Sequence, residues 1–567
     1  MTPATPGFLR QVASLAGPWL SGDRRWRVRG GLLLLFLLTV AQVALAVWGN
    51  YWNRALFDAL EARSVQAVVV QVGIFVLILA ASIAVTAAHL LVKRWLQLDW
   101  RRWLTGRLVG QWLADGRQYR LLFTAGEHDN PDGRIAEDIR IATESAVALA
   151  HTLVFSVLTL GLFIGILWSV SGSLPLPGTD LVVPGYLVPL AFAYAGAGTA
   201  LGWVVGRPLV RATDRLQTAE ASYRFGLAQV REHAEAIALA RGEPRERGVA
   251  LRRFRQVMQD WNRQSLAYLG IVSFGTAYGT LLPVFPVLVA APGYIAGAMS
   301  LGVLMQAAQA FQRVTSALSW PVDNLGEIAR CRASAARVLA LYNDVLALAA
   351  GPEDGRVTVV RGEHPRLSLE SLCLSEPAGT PVAGPLSAEI HRGERVLVTG
   401  DPAATTALFK AIGGLWPWGS GRVLLPRDQA IAFMPQRPLL PEGTLREALT
   451  YPGPPDSFTT AAIQHALECA GIAWLSPRLD EVAAWEQVLP LRARQRLAFA
   501  RVLLQPPGWI IMQEASDAFD ARGERVVLDM LRHELPDTTI VTISFHPGLE
   551  ALHHRTLVVR RAGQPAH

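Results

Sequence analysis

An α-helical membrane domain of six spans followed by an α/β domain is the architecture this sequence predicts, and three observations carry it. Apolar stretches long enough to cross a bilayer crowd the first 320 residues, the composition turns mixed after Asp344, and a strand–turn–helix phrase, VLVTGDPAATTALF, stands at 396–409. The average composition fits such a hybrid. Apolar residues make up 51% and charged residues 17%, too hydrophobic for a soluble enzyme and too charged for a bare membrane bundle.

A helix needs about 20 apolar residues to cross the hydrocarbon core. Such stretches fall at 30–49, 67–92, 146–170, 183–205, 267–291 and 298–319. The last is interrupted by Gln306, Gln309 and Gln312, a pattern shared by a span facing a cavity and by a buried amphipathic helix. Arginine is distributed unevenly between the connections. RRWRVRG precedes the first span, KRWLQLDWRRWLTGR follows the second, and a dozen arginines lie between Arg207 and Arg263, whereas SGSLPLPGTDLVVP and APGYIAG have none. The positive-inside rule then predicts a multi-pass protein of a bacterial inner (cytoplasmic) membrane with both termini in the cytoplasm. The formal charge of +7 is therefore topological: its partner is the lipid membrane, and nucleic acid is not expected. The residues before the first span lack a small-residue cleavage site, so no cleavable signal peptide is expected. Cys331, Cys373 and Cys469 lie far apart without a CxxC pair, which predicts neither a zinc site nor a disulfide framework.

The domain boundaries follow from composition. Residues 1–345 read as the transmembrane domain with long cytoplasmic helical extensions, and 346–364 as a Gly-, Pro- and charge-rich linker. Residues 365–567 alternate short apolar strands with helical patterns, the mark of an α/β domain.

Six phrases in order carry a family resemblance: NPDGRIAEDIR (130–140), LFIGILWSVSG, EAIALARGEPRE (235–246), MQAAQAFQRVTSALSW, FMPQRPLLPEGTLREALTYP (433–452) and RQRLAFARVLLQPPGWIIMQEASDAFD (494–520). Together they resemble ATP-binding-cassette half transporters with a fused permease, typified by the peroxisomal fatty-acyl transporters and by bacterial importers of cobalamin and antimicrobial peptides. The resemblance implies an exporter-like six-span domain, an α/β nucleotide-binding domain, ATP and Mg²⁺ as cofactors, and a homodimer or a heterodimer with another half transporter. It also implies that Asn130, Glu137, Asp138, Glu235 and Glu243 belong to segments coupling nucleotide chemistry to the membrane.

The same resemblance allows a residue-by-residue test of the nucleotide site. A G-x-x-x-x-G-K-[ST] loop turns backbone amides onto phosphate at a helix N-terminus, with lysine on the terminal phosphates and a hydroxyl on magnesium. Here Gly400 begins the motif, but Thr405 falls at the second glycine, Thr406 at the lysine and Ala407 at the hydroxyl. A β-branched residue is a poor occupant of a positive-φ position, so a malformed loop is expected. Lys410, one helical turn on, reads as an exposed helix lysine. Gln513 replaces the metal-positioning aspartate, Glu514 follows at the water-polarising carboxylate, and Pro490 and Arg492 replace the serine and glycine of the partner-facing signature. Gln436, Asp520 at the dimer-facing turn and His546 remain as family residues; Gln436 sits in FMPQRPLLP, which the resemblance also couples to the membrane helices, and packing or helix capping would equally account for Asp520 and His546.

The functional expectation is a membrane transport subunit moving an amphipathic or hydrophobic substrate (peptide, corrinoid or acyl compound) with impaired ATP hydrolysis. The alternatives are a proton-driven secondary transporter and a catalytically silent regulatory partner of an intact half transporter. Proton coupling needs protonatable groups in or near the spans, for which His89, Asp58, Glu61 and Glu144 are the candidates.

Overall fold

The computed structural model describes residues 7–123, 130–175, 182–350, 356–427, 429–519, 521–546 and 549–562. They form two compact units, one of Met1–Val109 with Asn130–Tyr342 and the other of Gly110–Asp129 with Asn343–His567.

The first unit is helical: α1 (Phe8–Ser21), α2 (Arg25–Glu61), α3 (Val65–Trp112), α4 (Ile139–Val170), α5 (Leu187–Glu232), α6 (Glu243–Ile295), α7 (Leu301–Leu318) and α8 (Leu325–Ala350), with α3 and α8 running on into the second. Five described helical stretches are long and apolar enough to cross a membrane: α2, α3, Pro131–Val170, α5 and α6. The expected sixth span, 298–319, folds as α7, which is not among them. Its glutamines give the reason. α7 packs against α2, α4, α5 and α6, so Gln306 is fully buried by protein, and Asn50 of α2 donates to Gln309 Oε1 at 2.8 Å and to the Gln306 carbonyl at 3.2 Å. A helix enclosed by other helices can hold polar side chains that lipid would penalise.

The carboxylates considered for proton coupling also have local structural roles. Asp58 accepts from Ser300 Oγ at 2.6 Å and from the Gly302 amide at 3.1 Å, and Glu61 accepts from the Leu301 amide at 2.9 Å. Both cap the N-terminus of α7, where a negative charge meets the helix dipole. Glu144 lies 3.7 Å from Arg140, and the His89 ring stands 4.0 Å, centre to centre, from that of His151, a partner that sequence spacing does not reveal.

The second unit is α/β. The strands of its two larger sheets are β1 (Thr358–Gly362), β2 (Arg366–Ser375), β3 (Pro381–His391), β4 (Arg395–Gly400), β5 (Gly419–Pro426), β6 (Ile431–Met434), β7 (Trp509–Gln513), β8 (Thr539–Ile543) and β9 (Arg555–Val559). One sheet runs β1-β5-β2-β3; the other is wholly parallel, ordered β9-β4-β8-β7-β6. Parallel strands covered on both faces read as unbroken apolar runs, as in WIIM of β7, which is buried throughout. Val396, Val398, Ile511, Val541 and Ile543 share one core with Leu408 and Ile412 of α9 (Pro402–Ile412). A separate helical cluster gathers Leu445, Ile463, Trp485 and Leu497 ahead of β7.

The connection after α3 joins this second unit. Phe123 packs edge-on against Trp418 and Trp416, with ring centres at 5.1 and 5.8 Å, and Trp416 anchors itself through Nε1 to the Ser375 carbonyl at 2.9 Å. Lys410 is not the solvated helix lysine expected from its spacing. Its ammonium lies over the rings of Tyr119 and Trp416, 5.6 and 5.5 Å from their centres, which ties α9 to the connection by cation–π attraction. Trp416→Ala is expected to cost about 1–3 kcal/mol from these ring and cation contacts. The expected signature is faster proteolytic cleavage at the arginines of 117–120; cleavage at the wild-type rate would show that the rings do not hold the segment.

Candidate functional site

Four parallel strands end on one edge of the second unit's sheet, and their ends carry most of the expected site residues. β4 ends at Gly400, β6 precedes Gln436, β7 ends at Gln513 and β8 precedes His546. Carboxyl ends of parallel strands are where α/β sheets place ligands.

The strand-to-helix passage after β4 is short. Gly400 takes φ +127° and Asp401 is the N-cap, so α9 begins at Pro402 with its fixed φ and missing N–H suited to a first turn. The Asp401 carboxylate accepts from the amides of Ala403 and Ala404, both at 3.0 Å. Those first-turn amides are the groups a helix N-terminus offers an anion. Here the chain's own carboxylate sits on them.

Thr405 does not take the strained loop position expected of it. It is helical and fully buried, and its hydroxyl donates back to the Asp401 carbonyl at 3.0 Å and the Pro402 carbonyl at 3.2 Å. The predicted β-branched strain is absent because the chain enters the helix before residue 405. Thr406, expected at the lysine position, instead presents its hydroxyl to the end of β7 and accepts from Gln513 Nε2 at 2.8 Å. Ala407, expected at the hydroxyl position, is buried in the core. The hydroxyl facing β7 therefore belongs to residue 406.

Beside Gln513, Glu514 takes φ +48°, uncommon for a residue with a side chain, and its amide bonds to the Ile543 carbonyl at 2.9 Å. Partial burial, and after it the charge and hydrogen bond of Asp517, push the Glu514 carboxyl above the usual carboxylate range. The raised value fixes the sign of its pH dependence. The protonated form favours the fold, and that contribution is lost as pH rises through the elevated titration. Glu514→Gln is thus expected to flatten the thermal midpoint over the interval just above the normal glutamate range; an unchanged pH profile would place the effect elsewhere.

Gln436 donates Nε2 to Asp517 Oδ2 at 3.2 Å. Gln495, 1% exposed, donates to the Gln436 carbonyl at 3.0 Å and accepts from the Ala518 amide at 3.2 Å, tying the loops after β6 and β7 to its own helix. Neither Asp517 nor Gln495 stands out in the sequence, where they read as a turn residue and an ordinary helix glutamine. His546 Nδ1 lies 3.8 Å from the buried Glu524, which also accepts from Ser516 Oγ at 2.5 Å. Asp520 lies outside the described residues. Pro490 is the N-cap of α10 (Leu491–Leu504) and supplies no side-chain cap, and the Arg492 guanidinium lies 5.8 Å from the centre of the Phe519 ring.

Of the residues expected to couple the two regions, Asn130 accepts from the Gly133 amide at 3.1 Å and opens the helical turns that lead into α4. Asp138 is 7% exposed and accepts from Arg337 Nε at 2.7 Å and Ser334 Oγ at 2.8 Å, both on α8. Glu137 is exposed, 4.0 Å from Arg140. Glu235 and Glu243 are exposed in the first turns of the helix Ala234–Leu239 and of α6.

A bundle of membrane-length helices joined to a parallel-sheet domain with its ligand edge at the strand ends defines the ABC-transporter class. Residues 19–284 match the family described as ABC transporter transmembrane region 2. The chain is 29% identical to an uncharacterized ABC transporter ATP-binding protein, sll0182, of Synechocystis, over 98% of this chain and 83% of the other. It is 27% identical to the inner membrane ABC transporter ATP-binding protein YddA of Escherichia coli, over 94% of each. In fold it is similar to a bacterial Atm1-family ABC exporter solved with ATP bound, with a TM-score of 0.66, 18% identity and 96% of both chains covered. The chain is an ABC half transporter, a transmembrane region of this family fused to an ATP-binding-type domain.

Proposed function

We propose that this half transporter is a membrane transport subunit whose cassette has given up efficient ATP hydrolysis. It moves an amphipathic or hydrophobic solute (peptide, corrinoid or acyl compound) across a bacterial inner membrane as a homodimer or beside a second half transporter, with both termini cytoplasmic. The inner-membrane placement follows the name of the Escherichia coli relative and the arginine-rich connections.

The single observation that carries the reading is the pair of internal bonds at the strand edge. Asp401 occupies the amides that would take phosphate, and Gln513 closes onto Thr406 where a hydroxyl and a carboxylate would hold magnesium. A neutral amide brings magnesium no charge, and hard cations favour carboxylate oxygens. The residues present therefore do not fit the metal. A nucleotide would have to displace Asp401 or accept its repulsion, with no lysine to offset that charge.

Native mass spectrometry of the tagged protein, released gently from its own host membranes with magnesium and ATP present, tests the reading. Nucleotide-free homodimer, or a mixed dimer whose nucleotide is held by another half transporter, is the expected result. Homodimer carrying ATP stoichiometrically would overturn it.

A further inference from the structure

A cavity with five charged residues in its lining lies in the helical unit, remote in sequence from the strand-edge site. It has a volume of about 410 Å³ and is formed where the turn between α1 and α2 meets the far end of α3. α1 is held there by the Trp19 ring, stacked on Trp100 at 5.3 Å and 12°, and by Trp19 Nε1 donating to Asp99 at 3.1 Å. The buried side of α1 is Gln11, Leu15 and Trp19, at the spacing of one helical face, while Leu9 is 81% exposed. That pattern suits a helix lying in a membrane interface.

The depth of the cavity follows from its neighbours. Gly31 of α2 lies against Trp95 and Leu96 of α3, so the two helices are level there. Above that level α2 exposes Leu33, Leu34, Phe36 and Leu37, the surface of a lipid-facing span. Below it, Trp26 is 74% exposed and Leu98 64%. Exposed tryptophan at the end of a span marks the headgroup region. Arg102 is one helical turn beyond Leu98, about 6 Å at 1.5 Å per residue, within reach of lipid phosphates for a long side chain that extends toward the interface.

The charges of the cavity are unequal in use. Arg24 faces Asp99 at 3.8 Å, and Arg107 donates to Tyr342 Oη at 2.9 Å while lying over Trp103. Arg102 and Asp23, which both line the cavity, have no side-chain hydrogen-bond or ion-pair partner among the described residues; Arg102 stands beside Trp103, and with Arg24 and Arg107 it outnumbers the carboxylates of Asp23 and Asp99 three to two. A guanidinium with five donors and no acceptor, next to an indole at headgroup depth, matches a phosphate ester with an apolar tail.

We propose that this cavity binds the phosphate headgroup of an anionic membrane lipid, with Arg102 as its principal ligand and the α1–α2 turn as its outer wall. The site is separate from the cassette and does not depend on how transport is powered. The lipid source is preferred to a soluble phosphate because the cavity adjoins the lipid-facing surface of α2 and the interfacial helix α1.

The test uses the full chain in nanodiscs of equimolar phosphatidylglycerol and phosphatidylcholine, released into native mass spectrometry. The expected result is selective retention of phosphatidylglycerol, lowered about tenfold by Arg102→Ala, the scale of one charge-assisted hydrogen bond, and partly kept by Arg102→Lys. Arg25→Ala removes a neighbouring charge outside the cavity and is expected to change retention little. Equal loss in both alanine variants would mean diffuse surface charge and overturn the site. Displacement of the lipid by millimolar inorganic phosphate would assign the cavity to a soluble ligand and overturn the lipid assignment. Each variant is first matched to wild type in size-exclusion profile and thermal midpoint. An Arg102→Ala protein that retains lipid normally after passing those checks refutes the proposal outright.

Discussion

Purified full-length protein, supplied with saturating ATP and magnesium, is expected to release phosphate barely above the buffer background. Removing one preorganised transition-state donor slows catalysis roughly 10²- to 10³-fold, and this strand edge lacks both the phosphate-loop lysine and a metal-holding carboxylate. Thr406→Lys alone is expected to leave the rate at background, because Asp401 still occupies the Ala403 and Ala404 amides and Gln513 remains neutral. The informative comparison is the combined change Asp401→Asn, Thr405→Lys and Gln513→Asp. It lightens the charge on the amides, supplies a cation in the first turn of α9 and returns a carboxylate opposite the Thr406 hydroxyl. Binding of a fluorescent ATP analogue by this variant, with none by wild type, would support the reading. Turnover of several per second by wild type that disappears in Glu514→Ala would sink it.

The second large effect is structural. Gly400→Ala is expected to destabilise the cassette severely while leaving the membrane helices folded. At Gly400 the backbone takes φ +127°, and a Cβ there would stand 1.9 Å from the Val559 carbonyl oxygen. That oxygen cannot retreat, because it accepts from the Asp401 amide at 2.9 Å and Val559 is paired with Gly400 at the edge of the sheet. Left-handed strain and a clash with backbone together cost at least about 3 kcal/mol. For a domain of this size that corresponds to roughly 6–12 °C in the unfolding midpoint. Calorimetry should show the loss in the cassette transition; a midpoint within a degree of wild type would show that β9 can move aside.

Much of the architecture was legible in the chain because its signals are one-dimensional. Length and apolarity alone mark α2, α3, α5 and α6 as membrane helices, since lipid imposes the same requirement on every turn of a span. α7 was the ambiguous case for the same reason. Its glutamines are costly against lipid and acceptable against protein, and only the packing of four helices around it decides which applies. The aromatic seat for Phe123 was hidden in the same way, because Tyr119, Lys410, Trp416 and Trp418 come from segments almost three hundred residues apart.

The nucleotide region divides along a similar line. The sequence by itself determined which chemical groups are available: no lysine at 405 or 406, an amide at 513, a carboxylate at 401 and a proline at 490. It could not determine where in space each group acts. Counting from Gly400 assumes a loop of standard length, whereas the chain turns directly into α9, so the hydroxyl that meets Gln513 comes from Thr406 and Thr405 bonds back into its own helix. Composition is a local property that a linear string preserves in full. The meeting of Thr406 with Gln513, across 107 residues, exists only because two parallel strands with β8 between β4 and β7 end on the same edge.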